Sequence, residues 1–331
     1  ILKLLVTGGL GFIGSNFINH IIKNTEIEIV NVDAEFFGSS HHNLSEIENS
    51  KNYTFVKGNI TNKKLMGELI SKCDTIINFA AESHVDRSIY DANPFLVSNI
   101  RGVFTILEVL KEQKKKLIQI STDEVYGTVL EGNAKEKDRF NPSSPYSATK
   151  ASAELLINSY VITYGLDVII TRCTNNYGMH QFVEKLIPKT IGLARQDRKI
   201  PIYGTGKSIR DWIHVQDHCE AIMAVLEKGK SGESYNISTS QKIDNVTIAR
   251  KILKLLDKSE EQLQFGEERP GEDTRYSLDS TKILDELGWS PKISLDDGLE
   301  NTVNWYMSHD DKWWNNIPQE TYSSTPWKNK Y

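Results

Sequence analysis

The stretch Leu2-Lys3-Leu4-Leu5-Val6-Thr7-Gly8-Gly9-Leu10-Gly11-Phe12-Ile13-Gly14 decides the fold. Its first half is a short apolar run that predicts a β-strand over residues 2–6. Its second half is a turn carrying glycines at 8, 11 and 14. An apolar period through Ile18, Ile21 and Ile22 then predicts a helix. Glycines between a strand and a helix have three tasks: a tight turn, close approach of backbone to a pyrophosphate, and close helix–strand packing. The helix start offers free N–H groups and a positive dipole end to phosphates. A second strand, Glu28-Ile29-Val30-Asn31-Val32-Asp33, ends in a carboxylate 19 residues after Gly14, where it can accept from both ribose hydroxyls of a dinucleotide. The same carboxylate repels a 2′-phosphate, and no arginine occupies Ala34, Glu35 or Phe36. The expected cofactor is NAD.

Outward from this unit the pattern repeats. Short β-branched runs at 54–56, 75–79, 117–121 and 168–171 alternate with helical periods such as Leu96, Ile100, Val103, Phe104, Leu107 and Leu110. Strands separated by helices imply a parallel sheet with right-handed crossovers, an α/β Rossmann-type doubly wound fold. After about residue 175 the order loosens, with strand-like pieces at 200–204 and 234–238 among helices at 217–228, 246–257, 280–287 and 295–308. This predicts a dinucleotide lobe over residues 1–174. A smaller α/β substrate lobe over 175–331 is interwoven with it, since no Gly/Pro-rich hinge separates them.

Composition narrows the partners. The 331 residues carry 39 Lys and Arg against 44 Asp and Glu, a net charge of −5, which excludes a basic coat for nucleic acid but not a local anion pocket. Three cysteines, Cys73, Cys173 and Cys219, lack any C-x-x-C spacing and point to a reducing compartment, so a cytoplasmic location is expected. No run reaches the roughly 18 apolar residues of a membrane helix, and residues 1–6 are too short for the apolar region of a signal peptide. His214, His218 and Cys219 read as helix-start residues, and no metal site is expected.

Two further motifs carry chemistry. Tyr146-Ser147-Ala148-Thr149-Lys150 sets a phenol and an ammonium four residues apart, one face of a helix. Ser121-Thr122-Asp123-Glu124-Val125-Tyr126-Gly127 places adjacent acids at the end of a strand, on the sheet edge where ligands of open α/β sheets bind. With the G-x-x-G-x-x-G spacing, the Tyr and Lys resemble the extended short-chain dehydrogenase/reductase family. Lys150 is then expected to lower the pKa of Tyr146 and to reach the nicotinamide ribose, making the phenol a base for a substrate hydroxyl.

The Thr-Asp-Glu step further resembles the nucleotide-sugar 4,6-dehydratases, above all those acting on dTDP-glucose. Eliminating water needs a base for one C–H and an acid for the departing hydroxyl, and hence two carboxyls in different protonation states. The resemblance runs through Ala80-Ala81-Glu82-Ser83-His84-Val85-Asp86-Arg87-Ser88-Ile89, Asn175-Asn176-Tyr177-Gly178, Glu184-Lys185-Leu186-Ile187-Pro188, Pro201-Ile202-Tyr203-Gly204, Arg210-Asp211-Trp212, Tyr235-Asn236-Ile237 and Arg269-Pro270-Gly271. It implies dehydration of a nucleotide-activated hexose, with Asp123 as acid, Glu124 as base, Thr122 at the sugar 4-hydroxyl, and Tyr146 and Lys150 at the hydride step. It implies a cofactor site of Gly8, Gly11, Phe12, Ile13, Gly14, Asp33, Asn59, Ile60, Ala80, Ala81, Ser98, Tyr146, Lys150 and Asn176. For the nucleotide sugar it implies Ser83, His84, Thr122, Asn175, Lys185, Leu186, Pro201, Tyr203, Arg210, Asn236 and Arg269, the two arginines clamping the diphosphate. It also implies a homodimer, in which the Leu96–Leu110 and Tyr146–Tyr160 helices face a second subunit; their residues fit burial within one subunit equally well.

Three positions depart from the family pattern. Asn59 replaces an acid that holds adenine, leaving an amide oxygen as the expected acceptor. Ala34-Glu35-Phe36-Phe37-Gly38-Ser39 replaces Lys-Leu-Thr-Tyr-Ala-Gly. Glu272 replaces the His of Arg-Pro-Gly-His-Asp and is expected to point away from a diphosphate or to meet a sugar hydroxyl. A 4-epimerase or decarboxylase on the same scaffold, the same dehydration on UDP-glucose, and a non-catalytic NAD-sensing protein are the alternatives. The acid pair and the intact Tyr146 and Lys150 separate the dehydratase from the epimerase, the decarboxylase and the NAD sensor.

Overall fold

The computed structural model describes residues 2–329. Seven strands form one parallel sheet: β1 (Lys3–Thr7), β2 (Glu28–Asp33), β3 (Tyr53–Lys57), β4 (Thr75–Asn78), β5 (Lys116–Thr122), β6 (Val168–Cys173) and, after three strands that lie elsewhere, β10 (Ser234–Ile237). Their spatial order is β10-β6-β5-β4-β1-β2-β3, so strands are added outward to one side from β1 and to the other side from β4, all parallel. Strands β1, β4, β5 and β6 are buried on both faces and read as nearly continuous apolar runs, as two-sided parallel strands must.

Each face has its own apolar layer. On one, Phe17, Ile18 and Ile21 of the helix Phe12–Asn24 pack with Ile222 and Val225 of the helix Val215–Lys228. On the other, Met66, Ile106, Leu110 and Ile157 come from the helices Lys63–Ile70, Gly102–Gln113 and Pro145–Tyr164. The last of these starts sharply. Pro145 sits at its first turn, and the Ser144 and Ser147 side chains cap each other's backbone N–H. The apolar period at 96–110 is interrupted rather than smooth. Leu96–Arg101 is a wide π-type turn feeding the helix Gly102–Gln113, and it turns buried Asn99 onto the backbone of Glu82 (2.9 and 3.0 Å) and onto Thr149 Oγ1 (3.0 Å). Such turns collect at functional sites because they re-aim side chains.

The strand piece expected near 234–238 does not belong to the second lobe's sheets. It is β10, at the edge of the main sheet beside β6. Of the second lobe's strands only β8, within the expected piece at 200–204, was marked by the apolar pattern. β9 (Ile209–His214) pairs parallel with β7 (Asn175–Tyr177) and antiparallel with β11 (Lys242–Asp244), while β8 (Ile200–Ile202) pairs with β12 (Leu263–Phe265). Its core, including Tyr177, Ile191, Trp212, Ile252 and Tyr306, is separate from the two layers of the main sheet. The cleft is lined by the ends of β1, β4 and β5 and by Asn175 and Asn176 of β7.

Candidate active site

The glycine turn forms the floor of the cleft. Gly8 has φ +71°, and a Cβ there would lie 2.6 Å from Ala80 backbone atoms. A Cβ on Gly14 would meet the Gly8 carbonyl at 2.5 Å, so the helix can close on the strand only with glycine present. Gly11 caps the helix without a side chain, which leaves its first N–H groups directed at the cleft. Asp33 closes β2, its two oxygens accepting from Leu10 N (3.0 Å) and Glu35 N (2.8 Å). Burial pushes this carboxyl above its ordinary range, and the two backbone donors pull it back. Phe36, Phe37, Gly38 and Ser39 line the same end. These residues fit a dinucleotide: a cradle without Cβ atoms for a pyrophosphate and a buried acceptor pair for a ribose.

Asn59 lines this end, but its amide oxygen is not free as expected. It accepts from both Thr61 N and Thr61 Oγ1 at 2.9 Å, and so is already filled by its own turn. Ile60, Ala80, Ala81, Ser98, Phe12, Ile13 and Asn176 line the cleft alongside it. His218 Nδ1 is 2.9 Å from Asn176 Oδ1, so one of the histidines set aside as a metal ligand helps fix a cleft residue. No metal cluster occurs among the described residues.

At the middle of the cleft, Thr122 ends β5 and its hydroxyl accepts from Glu124 N (3.2 Å), tying the turn Asp123–Tyr126 to the strand. Gly127 closes this turn at φ +66°, where a Cβ would strike the Asn141 carbonyl at 2.1 Å. Asp123 is buried. Its Oδ1 accepts from Thr122 Oγ1 (3.2 Å), while Oδ2 has no partner. Burial, with the Glu124 charge adding, holds the Asp123 carboxyl well above its ordinary range. Half-buried Glu124 is also raised by burial, and Arg269 and Lys185 oppose the shift. Two neighbouring carboxyls thus sit in different fields, the arrangement that separates an acid from a base.

Tyr146 and Lys150 line the same wall. Lys150 Nζ donates to the Ile120 carbonyl at 2.8 Å, and burial lowers its pKa to about 8. The expected lowering of Tyr146 by Lys150 is absent from this arrangement. Burial and then the Glu124 charge hold the phenol well above its ordinary range, and Thr122 is the group that pulls it down. Desolvation of a buried phenol outweighs an ammonium whose proton is engaged with a backbone carbonyl.

A second pocket opens beyond Glu124, lined by His84, Asn175, Lys185, Leu186, Pro201, Tyr203, Arg210 and Arg269, all expected at the substrate. Ser83 lines the first pocket, and its carbonyl accepts from Lys185 Nζ (3.0 Å). Asn236 lines neither pocket. It is fully buried on β10, where it accepts from Tyr126 Oη (3.0 Å) and donates to the Ala134 carbonyl (3.0 Å); its surroundings make it a structural bridge. Asn245 occupies the pocket wall instead, as the first residue of the helix Asn245–Leu255, and no sequence motif marked it. Asp86, inside the resembling segment but assigned no role from sequence, acts here as well. It takes Tyr203 Oη (3.1 Å) and Arg269 Nη1 (3.2 Å) and thereby holds two pocket residues. Glu272 neither points away nor seeks a sugar hydroxyl. It bridges Arg210 and Arg269, because two buried guanidinium groups draw the nearest carboxylate.

The chain matches the GDP-mannose 4,6 dehydratase family over residues 5–302. It is 44% identical over 311 residues to the low-salt glycan biosynthesis protein Agl12 of Haloferax volcanii, covering 94% of this chain and all of that protein. It is 40% identical over 325 residues to dTDP-glucose 4,6-dehydratase of Mycobacterium tuberculosis, covering 97% of each. The crystal structure of dTDP-glucose 4,6-dehydratase from Bacillus anthracis in complex with NAD superposes with a TM-score of 0.90 at 40% identity, covering 96% of this chain and all of that one.

Proposed function

The chain belongs to the GDP-mannose 4,6 dehydratase family, and on that premise we propose that it converts dTDP-glucose to dTDP-4-keto-6-deoxyglucose and water, with NAD as a retained cofactor. The observation that carries this reading is the Thr122-Asp123-Glu124 turn, two carboxyls raised by burial in one cleft with Tyr146.

Gly8, Gly11 and Gly14 would hold the cofactor's pyrophosphate and Asp33 its adenosine ribose. NAD supplies a cationic acceptor for the C4 hydride and later its donor. Tyr146 takes the O4 proton, with the Thr122 hydroxyl bonded to the same oxygen. Its raised pKa means that the phenol gives up its own proton only beside positive charge, which confines base chemistry to the loaded site. A ketone at C4 acidifies the C5 hydrogen, and Glu124 removes it. Asp123, kept protonated by burial, delivers its proton to the departing C6 hydroxyl. Elimination gives a C5–C6 alkene conjugated to the ketone, which accepts hydride at C6 and a proton at C5. Lys185, Asn245 and the Arg210–Arg269 pair form the wall toward the diphosphate and nucleotide.

No helix among the described residues is long and apolar enough to cross a membrane. A cytoplasmic homodimer is part of this reading. Its support is the apolar surface of two packed helical segments, with Leu155 61%, Ile162 84%, Leu96 49% and Phe104 44% exposed.

The test is incubation with dTDP-glucose, UDP-glucose and GDP-mannose, reading the alkali-induced absorbance of a keto sugar. Signal from dTDP-glucose is expected, and an epimer without water loss contradicts the reading. Glu124→Gln should still oxidise C4 but fail to release water.

A further inference from the structure

The second pocket carries its own anion. Arg210 Nη2 and Arg269 Nη2 each lie 2.5 Å from a different oxygen of Glu272, and the Glu272 side chain is only 7% exposed. Arg210 donates a hydrogen bond to one oxygen, and Arg269 is ion-paired with the other without hydrogen-bond geometry, so two guanidinium groups converge on one carboxylate where a phosphate could take its place. The surroundings fix the arginines more firmly than they fix the glutamate. Arg210 lies over the Tyr276 ring at 4.3 Å and donates to the Ile209 carbonyl. Arg269 is held by Asp86, and its buried Nε has no partner. The backbone beside Glu272 is anchored through Asp273, which accepts from Thr128, Ser143 and Tyr276. Gly271, at φ +68° with a Cβ position 2.7 Å from the Ser143 carbonyl, leaves that turn no slack. Only the side-chain torsions of Glu272 are free to release the pair.

Resting on the dehydratase reading above, we propose that Glu272 is an internal counter-ion that occupies the diphosphate seat of the empty site and yields it to the substrate. It keeps two buried arginines paired and aligned when no substrate is present. It also filters ligands: a monoanion arriving at the seat only exchanges one negative charge for another. A diphosphate brings a second phosphate to the clamp and prevails. Part of the substrate's binding free energy is therefore spent in displacing Glu272.

The experiment compares wild type with Glu272→Gln and Glu272→Ala, using three probes. With dTDP-glucose, KM should fall about tenfold in both variants, the change expected from removing one competing charge-assisted bond. Inorganic pyrophosphate, which carries the clamp's ligand without sugar or base, should bind more tightly by the same factor in a direct titration. Acetate should compete with pyrophosphate in Glu272→Ala, where it re-enters the vacated seat, and not in wild type. A KM or pyrophosphate affinity that is unchanged or weakened overturns the proposal, as does acetate competition equal in both proteins. Should Glu272→Gln and Glu272→Ala not accumulate folded, Glu272→His, the residue of the family pattern, is titrated in their place for tighter pyrophosphate binding. If wild type leaves dTDP-glucose unconverted, the dehydratase reading fails, while the pyrophosphate titration still decides the role of Glu272.

Discussion

Replacing Asp123 with Asn separates what the site does from what it costs. Asp123 is 3% exposed, and one of its oxygens has no partner. In the unfolded chain it ionises near pH 4, whereas burial holds it protonated to well above that in the folded protein. Between those two values the native state binds a proton that the unfolded state does not, so stability falls as pH rises. Above the folded pKa the whole cost of an unpaired buried carboxylate is present, more than the about 1–3 kcal/mol of an unsatisfied neutral group. Asn carries no such charge. For 331 residues the unfolding entropy is about 0.7 kcal/mol/K, so Asp123→Asn should raise the apo Tm at pH 8 by more than the about 1–4 °C that a neutral group would give. At pH 4 the gain should vanish. Turnover should move the other way, falling about 10²–10³-fold as the general acid is lost. Scanning calorimetry across pH and a product assay on the same preparations check both. A Tm difference that does not grow with pH, or water loss within tenfold of wild type, refutes the reasoning.

Three other outcomes follow from particular contacts. Gly14→Ala sets a methyl 2.5 Å from the Gly8 carbonyl and should strip the cofactor from purified protein, as read by NAD content. The Glu154–Arg172 pair, 1% and 3% exposed, is buried away from the cleft. Glu154→Gln, which leaves the arginine charge unpaired, should cost about 3–5 kcal/mol and lower Tm by about 4–7 °C. Ile162→Glu, at the most exposed apolar position of its helix, should shift the elution of a dimer to that of a monomer in size-exclusion chromatography with light scattering.

The glycine turn, the carboxylate of Asp33 and the alternation of strand and helix were legible because each is local. They depend on residues within a few positions of one another and on burial of both faces of the sheet. The strands β7, β9 and β11 were not legible, since Asn175–Tyr177 and Lys242–Asp244 are three-residue pieces that exist only by pairing with Ile209–His214. Among the candidate site residues, those fixed by their own turn, such as Thr122, Asp123 and Glu124, could be placed from the chain alone. Those whose role depends on a distant partner could not. Asn236 is claimed by Tyr126 and Ala134, over a hundred positions away, and Glu272 by Arg210 and Arg269. The Tyr146 and Lys150 spacing puts both on one helix face, but spacing does not report desolvation, which raises the phenol's pKa here.

The most direct measurement uses dTDP-glucose carrying deuterium at C4, with the product examined by mass spectrometry and NMR. If Tyr146, Glu124 and Asp123 act as described, the product lacks one water and carries the deuterium at C6. Deuterium at C4 in a product that retains its water would contradict the account and identify an epimerase.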